Sequence, residues 1–304
     1  MSGKYVTEGE IKHYKIKNMT EYAKMIAMIV FVFAEIAFVY LFLDNRGMLP
    51  QAFTSSKACL VINVDQEIKT DYINRLIEDT EKILTEHKKE AKAILVVMNS
   101  PGGSPSASEE FASYLKDLQT RGIDVTMYVD SIAASGGYYI ASAIKPIIAN
   151  KNAIIGSIGV IMPHYSLEGL AKKVGITEDY IAAGKFKKPI SVFKDMDSEN
   201  KKYLKEHLLS PAYKNFVSDV AKNRGLDYSA VERVAQGKVY IANMQKIRGI
   251  LVDSISHLYK VKADLKEKYG EDLDFFEVNK LHPDSNLFAA KLDLNLKDGS
   301  LEIR

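Results

Sequence analysis

Residues 92–103 read "KAILVVMNSPGG". The apolar run from Ala93 to Met98 does not alternate with polar residues. A strand that buries one face alternates, whereas a strand covered on both faces is continuous in apolar residues, as in parallel sheets flanked by helices. The run stops at a Pro-Gly-Gly turn, and a helical pattern follows at about 106–121. On the N-terminal side, "CLVINV" (59–64) predicts a strand. Ile73, Leu76, Ile77, Ile83 and Leu84 then recur near helical spacing within 70–90. On the C-terminal side, "DVTMYVD" (124–130) predicts a third strand, 135–145 a short helix, and 146–162 two short strands around a turn. The β-α-β-α-β order predicts an α/β domain with a mostly parallel sheet.

Beyond residue 164 the pattern changes. "SLEGLAKKVGI" is helical, "GKFKKPISVFKDM" is a Lys-rich loop, and 197–224 and 228–236 are helical. "ILVDSISHLYKVKADLKEKYG" is a short strand or turn passing into a helix. The tail 271–304 alternates like strands in "FFEVN" and "KLDLNLKDGSLEIR".

Composition bounds the function. The chain has 304 residues, 47% hydrophobic and 26% charged, which is the make-up of a globular protein. A formal net charge of +2, with Lys and Arg interspersed among Asp and Glu, gives no basic surface for nucleic acid. The single cysteine, Cys59, excludes an intrachain disulfide and a multi-cysteine zinc site. It lies in the apolar run "ACLVINV" and reads as a small core residue.

Residues 25–43, "MIAMIVFVFAEIAFVYLFL", carry one charge, Glu35. About 20 apolar residues span a bilayer core, and the segment is apolar all round, unlike a surface helix. It is read as a single transmembrane anchor, preferred over a buried core helix or a cleaved signal peptide. Residues 1–24 hold Lys4, Lys12, Lys15, Lys17 and Lys24, against only Arg46 and Lys57 in 44–60. The positive-inside rule places the N-terminus in the cytoplasm and the bulk of the chain outside. The expected organisation is a cytoplasmic segment (1–24), the anchor (25–43), a linker (44–57), a catalytic domain (58–265) and a C-terminal extension (266–304) that serves in assembly.

Three glycine turns follow predicted strands: "NSPGGS" (99–104), "SGGYY" (135–139) and "GSIG" (156–159). Such turns at the carboxyl edge of a parallel sheet are where sites lie. Ser135 would stand at a helix start, either as a nucleophile or as a plain N-cap. The N–H of Gly136 and of a glycine in "PGG" could then bind a developing oxyanion. No histidine lies within ten residues of Ser135, and only His164 falls close to the glycine turns. A neutral lysine amine is the other route to a base. "AGKFKKPISVF" supplies Lys185, Lys187 and Lys188, which a solvated basic loop would explain equally well.

"NSPGGSPSASEE", "DSIAASGGYYIASA" and "IIGSIGVI" together resemble, in order and spacing, the core of the signal peptide peptidase A family, the S49 serine peptidases, over about 55–265. The resemblance implies a ClpP/crotonase-like fold of repeated βα units and a serine–lysine dyad with no metal or cofactor. It implies that Ser135 is the nucleophile and that Lys187, the second lysine of "GKFK", is the general base. Ser157 of "GSIG" would orient the lysine, and Gly102 and Gly136 would supply the oxyanion hole. It further implies a ring-like homo-oligomer, bound to the inner-membrane lipid, that cleaves signal-peptide remnants or other apolar peptides outside the cytoplasm. The chain departs from the family pattern in "KPISVFKDM", just after the lysine, and in "IANMQKIRGILVD" (241–253), a wall of the substrate groove. A catalytically silent scaffold and an acyl-CoA-processing enzyme of the crotonase type are the alternatives on the same fold.

Overall fold

The computed structural model describes residues 8–45, 57–87 and 90–281. The chain divides into two units, Met1–Ala52 with Lys280–Arg304, and Phe53–Asn279. In the first, helix α1 (Glu8–Asn45) contains the span Glu21–Val39, long and apolar enough to cross a membrane. None of that window is buried within the chain. Of the expected linker, 46–56 lies outside the described residues, as does the strand-like stretch "KLDLNLKDGSLEIR".

The second unit opens with β1 (Ala58–Val64), α2 (Thr70–Glu86), β2 (Ala91–Ser100), α3 (Pro105–Thr120) and β3 (Asp124–Ala134). These follow the expected elements closely, and β1, β2 and β3 pair in parallel. Cys59, Val61, Ala93, Leu95, Val97 and Tyr128 form one buried cluster. The alternate residues, Leu60, Ile62, Ile94, Val96 and Met98, are fully buried as well. Both faces of these strands are covered, which is why the sequence does not alternate. Each such Leu or Ile contributes about 1.5–3 kcal/mol of burial. Burial also pushes the Cys59 thiol up to about 12, so this sulfur stays a protonated core group.

Strand β3 runs beyond the predicted end at Asp130 and changes partners. Its Met127–Val129 pair with β4 (Ile147–Ala149), and its Ile132–Ala134 pair with β5 (Ile154–Gly156). Helix α4 (Gly136–Ser142) starts directly from the strand end and packs against α3. The chain continues through α5 (Glu168–Val174) and α6 (Ser198–Leu204), a π-helical turn at Lys205–Leu209, then α7 (Ser210–Arg224) and α8 (Tyr228–Val234). It closes with β6 (Val239–Ile241), β7 (Ser254–Ile255), α9 (Leu258–Tyr269) and β8 (Asp274–Glu277). The strand order is β6-β5-β3-β2-β1-β8, with β4 on β3 and β7 on β4. Val261 and Leu265 of α9 join the Cys59 cluster and cover that face. Strand β8 lies parallel beside β1, so residues 266–279 are part of the sheet-bearing unit instead of a separate extension.

An ion pair fixes α7 to the sheet. The Arg224 side chain is 1% exposed and bonds Asp253 through two nitrogens, at 2.8 and 2.6 Å, and Ile250 O through Nε. Asp253 also accepts from Ile147 N–H at the start of β4, at 2.7 Å. Burial pushes the Asp253 carboxyl up, but the Arg224 and Ile147 hydrogen bonds, with Lys145, hold it below the usual carboxylate range. Asp253→Asn leaves a buried guanidinium without its counter-charge. It is expected to cost about 3 kcal/mol, read as a lower urea midpoint at unchanged slope.

Candidate active site

The β2–β3 register places Ser100 abreast of Ala133, so the Pro-Gly-Gly turn meets the end of β3. A Cβ on Gly102 would come within 2.7 Å of Ser135 Cβ and 2.8 Å of both Ala134 O and Gly136 N. Glycine is what lets the two turns touch. Gly136 is held to the same requirement by the Ser108 hydroxyl, which would lie well inside van der Waals contact of its Cβ. Ser104 and Pro105 start α3 at this turn, with Ser104 Oγ accepting from Ala107 N–H.

Ser135 has φ 52 and ψ −123, a conformation that non-glycine residues rarely hold and that costs about 1–3 kcal/mol. Its N–H donates to Gly156 O at 2.9 Å, which anchors the turn to β5. Ser135 occupies the N-cap position of α4, yet its side chain makes no capping hydrogen bond. The capping alternative therefore does not account for this serine. Ser135 lines a cavity of about 450 Å³.

Continuing the Ala134–Gly156 register by one residue puts Ser157 abreast of Ser135, with the same φ of 52. The Ser157 N–H is held by Lys238 O at 2.7 Å. The two glycines of "PGG" differ in what their N–H groups meet. Gly102 N–H donates to Ser100 Oγ at 3.2 Å, and that hydroxyl donates to Gln66 O at 2.6 Å. Gly103 pairs with Ile68 as a parallel bridge, built from Ile68 N–H to Gly102 O and Ser104 N–H to Ile68 O. In such a bridge Gly103's own N–H turns away from Ile68.

The lysine segment is fixed on other partners. Lys185 pairs with Glu199 at 2.5 Å, Lys188 pairs with Glu178 at 2.5 Å, and Phe186 stacks on Tyr203 with ring centres 4.3 Å apart. Lys187 is exposed, and among the described residues it alone of the three makes no ion pair. None of the three lines the Ser135 cavity. The close approach of Gly102 and the β3–β5 register bring Gly102, Ser135, Gly136 and Ser157 to adjoining turns. His164 is elsewhere too, with Nε2 2.8 Å from Ser191 O. Among the described residues no cluster of His, Cys, Asp and Glu has the make-up of a metal site.

Residues that the sequence did not single out complete the cavity. Glu109 of α3 and Phe216 and Asp219 of α7 line it with Tyr139, whose hydroxyl donates to Asp219 at 2.9 Å. Helical carboxylates spaced along a polar face carry no signal of this kind before the helices are placed.

The chain matches peptidase family S49 over residues 117–271, about half of its length, an interval that holds Ser135, Ser157 and Lys187. It is 39% identical over 184 residues to a protein of Methanocaldococcus jannaschii named as a protease, covering 60% of this chain and 56% of the relative. It is 30% identical over 245 residues to Haemophilus influenzae SohB, named as a protease, covering 74% and 68%. The chloroplastic serine protease SPPA of Arabidopsis thaliana is 32% identical over 181 residues, 59% of this chain and 26% of that one. The chain thus spans between about a quarter and two thirds of the length of these relatives.

Proposed function

The chain belongs to peptidase family S49, and from that premise we propose that it is a membrane-anchored serine endopeptidase whose Ser135 acts with Lys187. The observation that carries this reading is Ser135 itself. It is held at φ 52 between two glycine turns, with a hydroxyl that caps nothing and opens on a cavity. The mixed α/β fold, with its parallel-rich sheet, is the ClpP-like fold of this family.

In the proposed reaction the neutral Lys187 amine takes the Ser135 proton as Oγ attacks a peptide carbonyl. The oxyanion is held by Gly136 N–H and by an N–H of the Gly102–Gly103 pair. Gly103 fits better than Gly102, whose N–H already donates to Ser100. Lys187 returns the proton to the leaving amine, and water, activated by the same lysine, releases the acyl group. Ser157, abreast of the nucleophile, orients the amine.

Residues 161–181 expose Ile161 (85%), Tyr165 (79%), Leu170 and Ile181, more apolar surface than a free segment would carry. We read this segment as contact surface of a ring-like homo-oligomer in which assembly brings Lys187 to a serine. The α1 helix anchors each copy in the inner membrane, N-terminus in the cytoplasm, and the substrates are signal-peptide remnants or other largely apolar peptides.

The test is labelling of the full chain in detergent with a fluorophosphonate. The adduct is expected on the peptide that contains Ser135, in the presence or absence of a chelator. Peptide hydrolysis by a chain labelled on some other serine, or not labelled at all, would sink the assignment.

A further inference from the structure

The cavity beside Ser135 carries charge of one sign. Val160 and Phe216 give it apolar walls, while Glu109 and Asp219 supply two carboxylates. No lysine, arginine or histidine lines it. Among the described residues neither carboxylate is in an ion pair. Asp219 is half-buried and accepts from Tyr139 Oη through Oδ2, which leaves Oδ1 able to accept from a ligand. Both carboxylates act on the same phenol, since burial first, then Asp219, then Glu109 push the Tyr139 hydroxyl up. Ser135, Glu109 and Asp219 line the same cavity, so its acidic end and the nucleophile belong to one space.

The geometry points to this cavity as the pocket for a lysine or arginine side chain on the residue whose carbonyl Ser135 attacks. The inference rests on the peptidase reading and names the side chain that the site selects. The methylene stem lies along Phe216 and Val160, as long basic side chains lie on apolar surface while their charged ends stay polar. The cation meets Asp219 and Glu109. An apolar side chain in the same place would take water from the half-buried Asp219 carboxylate and return no partner, which is costly. An acidic one would be repelled. Such a pocket suits the proposed substrates, because a signal peptide has a positively charged segment directly before its apolar run. Cleavage is then directed to the junction where basic residues meet apolar ones.

The test uses the full chain in detergent and two fluorogenic peptides that differ at one position, lysine against norleucine. Norleucine keeps an unbranched apolar stem and lacks the ammonium. The expected kcat/KM is at least about tenfold higher for lysine. Glu109→Gln and Asp219→Asn, made singly, are each expected to reduce that ratio by at least about threefold. The asparagine oxygen still accepts from Tyr139, and Glu109→Gln serves if the α7 variant does not fold. Norleucine cleaved as well as or better than lysine, or a ratio unchanged in the variants that fold, overturns the pocket assignment alone. Cleavage of neither peptide by the wild-type chain overturns the peptidase reading and this inference with it.

Discussion

Ser135→Ala is expected to lower kcat/KM for peptide hydrolysis by at least about 10³-fold, the scale on which loss of a serine nucleophile is felt. The folded chain should hardly notice. The Ser135 side chain makes no cap to α4, and the bond that anchors the turn runs from its backbone N–H to Gly156 O, which alanine keeps. Serine and alanine both carry a Cβ, so the φ of 52 strains them alike. The expected change in stability is within about 0.5 kcal/mol. Activity and the melting temperature, measured on the same preparation, separate chemistry from folding. A variant that keeps wild-type activity would remove Ser135 from the mechanism, and one that loses activity by unfolding would show the turn to be structural.

The contrast between those two readouts follows from how the site is built. Its frame was legible in the sequence because it is local. The continuous run 93–98 announces a strand buried on both faces, and the glycine turns at 101–103 and 135–137 announce strand ends that approach closely. What pairs at a distance was not legible. Strand β3 was expected to end at the charged Asp130, yet it runs on through Ile132–Ala134 because β5 is there to pair with it. "FFE" was read as part of a tail, and its parallel partner β1 lies more than two hundred residues earlier in the chain. Edge strand β6 is three residues long and shows no alternation that could announce it. The π-helical turn at Lys205–Leu209 sits inside a helix expected to be regular over 197–224, since a shift in backbone pairing leaves little trace in side-chain period.

The same division holds within the site. The glycines sit in turns whose residue type is dictated by close backbone approach, and Ser135 and Ser157 are legible because they stand beside them. Asp219 and Glu109 sit on helices where a carboxylate is ordinary, and only the packing of α3 and α7 against α4 gives them a shared cavity to face. The lysines present the opposite case, three candidates in four residues, and partners distinguish them. Lys185 pairs with Glu199 and Lys188 with Glu178, whereas Lys187 makes no ion pair among the described residues.

Lys187→Met is therefore expected to lower kcat for peptide hydrolysis by about 10²–10⁴-fold, the contribution of a positioned general base. Methionine keeps an unbranched stem and removes only the amine function, and the exposed site of Lys187 tolerates it. Lys185→Met breaks a surface ion pair with Glu199, in which both side chains are more than half exposed, and is expected to change kcat by less than about threefold. Melting temperatures of the two variants, measured beside the rates, separate loss of the amine from loss of the segment's fold. Should Lys185→Met be the dead variant and Lys187→Met the active one, the base lies two residues earlier. The Lys185–Glu199 pair would then have to open during assembly. If both variants keep wild-type rates, neither Lys185 nor Lys187 is the base, and the partner of Ser135 must be sought at Lys188 or among groups that line its cavity.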